Sequence, residues 1–390
     1  MTRTWNSLFV AAAASILWAA CGDESPETPI TESDTTSRNQ GAQTFRYETF
    51  GNEPFWTDTL RMHEVIEKAV DPLTALAVGL KVDSDNLPPG LLASADLESP
   101  KTTVELLRRD AVVGLKATVT GQGHIERIGI TCALCHSTVD NSVMKGIGRR
   151  LDGYPNLDLD PGRILALSPH FADQPPVLAV LQSWGPGKYD AYFNHDGIND
   201  PVVIPPAYGL QDVALETYSG EGPISYWNAY VAVTQMHGQG NFSDKRLGID
   251  ITASPDRVTP KLGVLLQYQL SLQTPDPPAG SFHPGTAAMG ETLFNGKARC
   301  AQCHVPPTFT DAGKTLHGPG ETGMNGVRAG RGATGAYRTT PLRGLWQHPP
   351  YFHDGSAGTL LEVVEHYDSV LGLGLSVKEK VDLVEYLNSL

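Results

Sequence analysis

The motif Cys132-Ala133-Leu134-Cys135-His136 recurs, with the same spacing of its cysteines and histidine, as Cys300-Ala301-Gln302-Cys303-His304. Two thiols followed by an imidazole at C-x-x-C-H spacing are the attachment signature of c-type haem. Each sulfur forms a thioether to the porphyrin, and the adjacent histidine becomes the proximal ligand of the iron. A zinc site would need a second cysteine pair without a fused histidine. The sequence therefore predicts two covalent haem c groups, with His136 and His304 as iron ligands.

The fifth cysteine, Cys21, closes an apolar run over residues 8–20 that follows the basic residue Arg3. A run of this length predicts an export signal and is too short to span a membrane. The small residues before Cys21 resemble a lipoprotein signal, and ordinary cleavage near Ala20 is the alternative. We expect a signal peptide over residues 1–21 and a lipid anchor on the periplasmic side. The residue after the cysteine is not Asp, which favours the outer membrane where the host has one.

Length and composition suggest about two domains joined by short linkers. The chain has 390 residues and a formal net charge of -14, so nucleic acid is not an expected partner. Residues 22–50 are polar and are expected to form a disordered tether. Pro275-Asp276-Pro277-Pro278 is a stiff linker. We therefore expect an N-terminal haem domain over 51–278 and a C-terminal haem domain over 279–390.

The C-terminal domain has the clearer pattern. A helix over 287–297 leads into the second motif, and two capping boxes, beginning at Thr359 and Ser376, open later helices. Helix, haem motif, long loop and terminal helix is the layout of a class I cytochrome c domain, in which a small residue such as Gly290 lets the first and last helices cross closely. The N-terminal domain is rich in Gly and Pro after His136, so it is expected to be loop-rich. We predict a mainly α fold of two class I cytochrome c-like domains. Further helices are expected over residues 60–67, 102–114, 226–237 and 261–272.

The motifs after the second haem site resemble those of the bacterial di-haem cytochrome c peroxidases and MauG-type enzymes. The resemblance rests on the spacing of the two haem motifs and on three runs: Pro349-Pro350-Tyr351-Phe352-His353-Asp354-Gly355-Ser356, Thr340-Pro341-Leu342-Arg343 and Thr359-Leu360-Leu361-Glu362-Val363-Val364. It is specific over 285–390 and loose over 120–275. It implies that hydrogen peroxide reacts at the first haem, and that the second haem relays electrons from a small donor protein, a cytochrome c or cupredoxin. A Ca²⁺ ion between the domains, held by backbone carbonyls near His348 and Pro350, is also implied.

The N-terminal domain departs from the pattern of that family. The family carries a Trp-Asp-Gly run whose Trp lies between the haems, and the nearest equivalent here places Tyr218 at that position. The family then has a Gln and a Glu over the reactive iron, whereas the polar candidates here are Gln235 and His237. Peroxide cleavage needs a group that moves a proton and a dipole that stabilises the departing oxygen. His195 and Met236 are alternative sixth ligands of the first iron, and permanent binding of either would make the protein an electron carrier.

The sixth ligand of the second iron is expected to be Tyr367. Peroxidases of the family place a Met fourteen residues after the His of the Tyr-Phe-His run, MauG-type enzymes place a Tyr there, and counting from His353 leads to Tyr367. Helical spacing after Thr359 also puts Tyr367 on the buried face. His366 and Met324 are weaker alternatives, and a tyrosine used only for packing is a third.

The sequence thus favours an exported di-haem oxidoreductase that uses peroxide. A pure electron-transfer cytochrome and a MauG-like oxidase of a protein or organic substrate remain the alternatives.

Because both motifs are complete, we expect two haems per chain that resist extraction with acid–acetone. Replacing Cys132 and Cys135 with Ala should leave one, measured as pyridine haemochrome per chain. A single haem in the unmodified protein would contradict the two-site interpretation.

Overall fold

The computed structural model describes residues 32–390 of the chain. The predicted signal segment over 1–21 and Cys21 lie outside this range. Helices predominate in the described part, and their bounds are α1 Glu32–Tyr47, α2 Met62–Ala69, α3 Pro72–Ala77, α4 Leu91–Ser94, α5 Pro100–Arg108, α6 Ala133–His136, α7 Pro161–Ala166, α8 Pro175–Ser183, α9 Phe193–Asp196, α10 Ile224–Tyr230, α11 Leu262–Ser271, α12 Pro284–Asn295, α13 Pro319–Thr322, α14 Val327–Arg331, α15 Leu360–Leu371 and α16 Val377–Asn388.

The strands are short and form two-stranded sheets. Their bounds are β1 Val82–Asp83, β2 Leu115–Val119, β3 Ile125–Ile130, β4 Ser137–Val139, β5 Ile147–Gly148, β6 Arg150–Asp152, β7 Lys188–Tyr189, β8 Val202–Val203, β9 Phe242–Asp244 and β10 Ile249–Ile251. The sheets pair β1 with β5 in parallel and the other strands as antiparallel pairs, β2 with β3, β4 with β6, β7 with β8 and β9 with β10. Two π-helical turns, Phe55–Thr59 and Val231–Gln235, and short 3₁₀ turns complete the backbone.

Two pairs of helices cross at a glycine, and each pair brackets one C-x-x-C-H motif. In the C-terminal part α12 crosses α16 at Gly290, where a Cβ atom would overlap the backbone carbonyl of Asp382. In the N-terminal part α1 crosses α11 at Gly41, where a Cβ atom would overlap the carbonyl of Val264. Only glycine permits such a close approach of two backbones. The crossing expected at Gly290 is therefore present, and the N-terminal part contains a second crossing of the same kind.

The expected disordered tether over 22–50 does not extend through its second half. Helix α1 occupies Glu32–Tyr47, and Phe45 is fully buried against Leu265 and Tyr268. The rings of Phe45 and Tyr268 meet edge to face at 5.6 Å. The segment is polar on average, so its one narrow apolar face was not recognised from composition. Tertiary packing of that face stabilises the helix where its intrinsic propensity would not.

The other predicted helices are present with shifted ends. Both capping boxes form. The side chains of Thr359 and Ser376 each accept the backbone N–H of the Glu three residues later, and the carboxylate of that Glu accepts the backbone N–H of the capping residue. The segment from Tyr226 is α10, which continues into the π-helical turn that ends at Gln235. The β2–β3 hairpin leads into the first motif and was not expected from the sequence. Within residues 32–390, no helix combines the length and apolarity needed to cross a bilayer.

Each motif lies against an apolar core of its own. The first half of the chain provides a large cluster that includes Leu107, Ile128 and Leu134 and contacts Cys135. The C-terminal cluster includes Phe294, Val364 and Leu383 and contacts Cys300. The two helix crossings and the two cores thus place one motif in each part of the molecule.

We expect Gly41→Val to lower the free energy of unfolding by roughly 3 kcal/mol, because an added side chain must separate α1 from α11. Gly263→Ala is the matched control, since Gly263 lies exposed on α11 with open space around its Cα. It should raise the free energy of unfolding by about 0.5–1 kcal/mol through helix propensity. Guanidinium chloride denaturation of the haem-loaded protein measures both, and equal effects of the two substitutions would contradict a tight crossing.

Candidate functional site

Hydrogen bonds to backbone carbonyls hold the first motif on both sides. The Thr131 hydroxyl donates to the carbonyl of Arg46 in α1 at 3.0 Å. The Asn156 N–H donates to the carbonyl of Cys135 at 2.9 Å, and the Gly153 N–H to that of His136 at 2.8 Å. These bonds come from elements distant in sequence, so the motif acquires its geometry only in the folded chain.

Both motif histidines use the same hydrogen-bonding arrangement. The Nδ1 atom of His136 lies 3.1 Å from the carbonyl oxygen of Pro205, and the Nδ1 atom of His304 lies 3.1 Å from that of Phe309. A carbonyl oxygen only accepts, so each Nδ1 carries the proton and each Nε2 keeps its lone pair. This tautomer is the one required for Nε2 to bind a metal.

The donor set fits covalent haem c. The four cysteines Cys132, Cys135, Cys300 and Cys303 are half-buried free thiols. Burial raises the pKa of Cys132 and of Cys135 to about 12, so neither is poised as a thiolate redox centre. Burial also lowers the pKa of His136 to about 4, which keeps its imidazole neutral. Neutral thiols and a neutral imidazole with a free Nε2 suit thioether attachment and iron ligation.

Tyr189 and Gln235 form a polar pair beside the first motif. The Tyr189 hydroxyl donates to Gln235 Oε1 at 2.8 Å, and Gln235 Nε2 donates to Asn194 and Thr234 at 3.0 Å each. Tyr189 packs in the aromatic cluster that also contacts Cys132. Burial, and then the nearby Cys135 thiol, raises the pKa of Tyr189, so its phenol keeps the proton. Tyr189 was missed from sequence because its only signal is spatial.

The other candidates for the first site lie in different surroundings. His237 is exposed as a residue, but its ring stacks on Phe55 with a centroid distance of 3.6 Å, and this partial burial lowers the pKa of the imidazole. The described contacts therefore do not bring His237 into the network of Gln235. His195 is exposed on α9, whereas Met236 is buried among the aromatic residues that contact Cys132.

Tyr218 lies where the N-terminal part of the chain meets the C-terminal part. Its carbonyl accepts the Arg338 N–H at 3.0 Å, and its ring centroid lies 6.5 Å from that of His353. His353 is buried, stacks on Tyr337 at 4.6 Å and bonds to the Tyr337 hydroxyl through Nε2 at 3.1 Å. Burial raises the pKa of Tyr218 to about 12. The buried carboxylates Glu216 and Glu221 flank this tyrosine in sequence and were not singled out beforehand.

A short route of backbone bonds connects the first motif to the Tyr-Phe-His run. The Val203 N–H in β8 donates to the carbonyl of His353 at 2.8 Å, and Lys188 Nζ in β7 donates to the carbonyl of Asp354 at 2.8 Å. Two residues after Val203, the Pro205 carbonyl accepts the His136 proton. The β7–β8 hairpin, which also carries Tyr189, therefore contacts both the first motif and the C-terminal part.

Tyr367 lies on α15 near the thiols of the second motif. The electrostatic fields of Cys303 and Cys300 add to burial in raising the pKa of Tyr367 to about 12. Its ring meets Phe352 edge to face at 6.0 Å. The neighbouring His366 is committed elsewhere, because its Nε2 lies 2.9 Å from the carbonyl of Thr322. Of the two side chains, Tyr367 is the one that interacts electrostatically with the thiols of the second motif.

One group of possible metal ligands occurs among residues 32–390, formed by Cys303, Asp311 and His317. His317 bonds to Asp311 through Nε2 at 3.0 Å and to Glu321 through Nδ1 at 2.8 Å, and these carboxylates raise its pKa against the effect of burial. Both ring nitrogens are thus already used. The group is a hydrogen-bonded support beside the second motif. The expected Ca²⁺ site stays a prediction.

Known proteins resemble part of this chain, although no family model matches it. The methylamine utilization protein MauG of Methylorubrum extorquens is 34% identical over 122 residues, covering 27% of this chain and 34% of MauG. The cytochrome-c peroxidase IdrP2 of Pseudomonas sp. strain SCT is 30% identical over 171 residues, covering 32% of this chain and 46% of IdrP2. Over these stretches the chain is similar to proteins of the MauG and di-haem cytochrome c peroxidase superfamily. The matches span between a third and a half of the length of these relatives.

Two solved structures share limited features with the chain. Hydrazine synthase of Kuenenia stuttgartiensis aligns with a TM-score of 0.34 at 19% identity, covering 49% of this chain and 73% of that chain. A MauG-like protein associated with microbial copper homeostasis aligns with a TM-score of 0.26 at 21% identity, covering 33% of this chain and 55% of that protein. Both scores lie below the level at which a common fold follows.

We expect Tyr367→Phe to change the absorption spectrum of the second haem, because it removes the proposed ligand. Tyr367→Met should raise the reduction potential of that haem by on the order of 0.1 V, since a thioether favours ferrous iron more than a phenolate does. His366→Phe is the matched control on the same helix and should leave both observables unchanged. An unaltered spectrum in Tyr367→Phe would exclude Tyr367 as a ligand.

Proposed function

We propose that the chain is an exported di-haem c-type cytochrome that uses hydrogen peroxide as an oxidant. The His136 site is the reactive centre, and the His304 site relays electrons from a small donor protein such as a cytochrome c or cupredoxin. Two cytochrome c-like domains, 51–278 and 279–390, with α1 added to the first, carry these sites. The observation that supports this proposal most is the route of bonds from His136 through the β7–β8 hairpin to His353.

Bound haem would supply one-electron and peroxide chemistry. The chain supplies orientation, protons and a closed environment around it. Pro205 and Phe309 fix the two proximal imidazoles through Nδ1. This bond also raises the electron-donating power of Nε2.

At the reactive centre we assign proton handling to the Tyr189–Gln235 pair. Gln235 is fully bonded through its amide, so it acts by holding Tyr189 in place. A phenolic hydrogen can change between two orientations in the plane of its ring. With haem bound, the Tyr189 Oη–H would be able to turn from Gln235 and donate a hydrogen bond to peroxide, which would stabilise negative charge. Tyr189 takes the part that the sequence analysis divided between Gln235 and His237.

Between the two centres we assign Tyr218 to electron transfer. It contacts both Arg338 and His353, which belong to the C-terminal part of the chain. A phenol differs from an indole in this position because its oxidation at neutral pH releases a proton. Transfer through Tyr218 thus depends on a nearby proton acceptor, and the buried carboxylate Glu216, whose pKa burial raises, is the nearest candidate in sequence.

A MauG-like oxidase that acts on a protein or organic substrate is the second candidate. It is favoured by one observation, the presence of Tyr367 near the second motif where the peroxidases have Met. An anionic oxygen ligand would stabilise oxidised iron and suit the site to store oxidising equivalents rather than to accept electrons from a high-potential donor.

Spectroscopy of the ferric protein separates an enzyme from a pure electron carrier. An open reactive centre gives one five-coordinate high-spin haem, whereas two six-coordinate low-spin haems would indicate a carrier and would overturn the proposal. Met236→Leu adds a direct check. If Met236 is a permanent ligand, its replacement will convert the first haem from low spin to high spin.

We expect Tyr189→Phe to slow the reaction with peroxide by roughly 10²-fold, because it removes the hydroxyl that serves the bound oxygen. Gln235→Leu should slow it less, since Gln235 acts through Tyr189. Stopped-flow absorption of the ferric protein measures both. His237→Ala is the comparison: an unchanged rate fits its exposed position, whereas a 10²-fold loss there with none in Tyr189→Phe would return the role to His237.

A further inference from the structure

Two arginines are buried without an acceptor for their charge. Arg328 is 2% exposed and Arg338 is 8% exposed. In each guanidinium the Nε and Nη1 atoms have no hydrogen-bond partner within the protein. A buried charge without hydrogen-bonded ion-pair partners is strongly unfavourable. Glu216 attracts Arg338 electrostatically but forms no ion pair with it, so both guanidiniums can take up a further anion. Arg331 is equally buried and shows the usual solution, because Asp190 and Asp196 bind its guanidinium.

The nearby carboxylates are already committed to other donors. Glu221 accepts the hydroxyls of Tyr192 at 3.0 Å and Thr217 at 2.6 Å. Glu216 accepts the Ile224 N–H at 2.9 Å. Neither forms an ion pair with Arg328 or Arg338, so both guanidiniums remain available to an added ligand.

Arg338 lies on the side of the second motif. Two residues after it, the carbonyl of Thr340 lies beside the His304 ring. Its own backbone N–H is fixed to the Tyr218 carbonyl at 3.0 Å. The Thr310 hydroxyl holds the intervening residue, Thr339, through its carbonyl at 2.6 Å. Arg338 is thus held between Tyr218 and the segment that borders the His304 ring.

Arg328 reaches towards the first motif instead. Its guanidinium lies 4.0 Å from the ring centroid of Tyr192 and 5.6 Å from that of Trp227. These aromatic residues belong to the cluster that packs against Cys132. A residue of the C-terminal part thus presents a positive charge to the core of the N-terminal site.

We propose that Arg338 binds a propionate carboxylate of the second haem and that Arg328 binds one of the first. This inference rests on the proposed two-haem function. Haem carries two carboxylates at one edge, and the guanidinium fork matches a carboxylate with two parallel hydrogen bonds. The assignment gives each buried charge its missing partner. It also means that the first haem is held partly by the C-terminal part of the chain.

The test is an optical redox titration of the haem-loaded protein. A cation beside a haem favours its reduced form, so Arg338→Met should lower the reduction equilibrium constant of the second haem about tenfold, which is 59 mV for one electron. The first haem should be unchanged. Arg328→Met should give the reverse pattern. Arg343→Met is the control, because the half-buried Arg343 already bonds to the Pro307 carbonyl, and both haems should keep their potentials.

Conservative variants keep the test decisive if a methionine variant fails to fold. Arg338→Lys and Arg328→Lys retain the charge and should bring the affected equilibrium constant back to within about threefold of the unmodified protein. Unchanged potentials in the methionine variants would overturn the proposal. If those variants do not fold, a lysine variant that shifts the potential of the haem not assigned to it would also overturn the proposal. The titration does not involve peroxide. Loss of the proposed function would appear separately, as a missing haem or an inert ferric protein.

Discussion

The hydrogen bond from each motif histidine to a backbone carbonyl is the constraint on which both sites depend. A C-x-x-C-H motif places an imidazole near the iron, but it does not decide which nitrogen is protonated. Pro205 and Phe309 decide this for His136 and His304. Because Pro205 lies two residues after β8, the orientation of the first imidazole is tied to the β7–β8 hairpin, and through Val203 to His353. The ligand geometry of one site is thus built on a contact with the other part of the chain.

The C-terminal part was predictable because its signals are local. A capping box needs only four consecutive residues, and the boxes at Thr359 and Ser376 form as expected. The crossing at Gly290 follows from a small residue ten positions before Cys300. The corresponding crossing at Gly41 was missed, although Gly41 and Phe45 repeat the spacing of Gly290 and Phe294. In the N-terminal part a long stretch of chain separates α1 from the first motif, and the polar composition around Gly41 led to a prediction of disorder.

The candidate site was predictable only where sequence spacing determines position. The six motif residues and Tyr367 are fixed by short counts along the chain. Tyr189 is not, because its approach to Cys135 depends on a hairpin and on a cluster of aromatic residues from four separate segments. His237 shows the converse: a residue suited to acid–base chemistry by type lies exposed and stacked on Phe55. Residue type alone could not tell these two apart.

Buried charge distinguishes the region between the two sites from the rest of the protein. Asp190 and Asp196 neutralise Arg331, whereas Arg328, three residues earlier in the chain, stacks on Tyr192. Arg328 and Arg338 both act on Tyr218, and each lowers the pKa of its phenol against the larger effect of burial. Because oxidation of a phenol at neutral pH releases its proton, two cations beside Tyr218 favour that proton loss. Propionate carboxylates bound at these guanidiniums would weaken this effect, so the ease of electron transfer through Tyr218 would depend on whether both haems are in place.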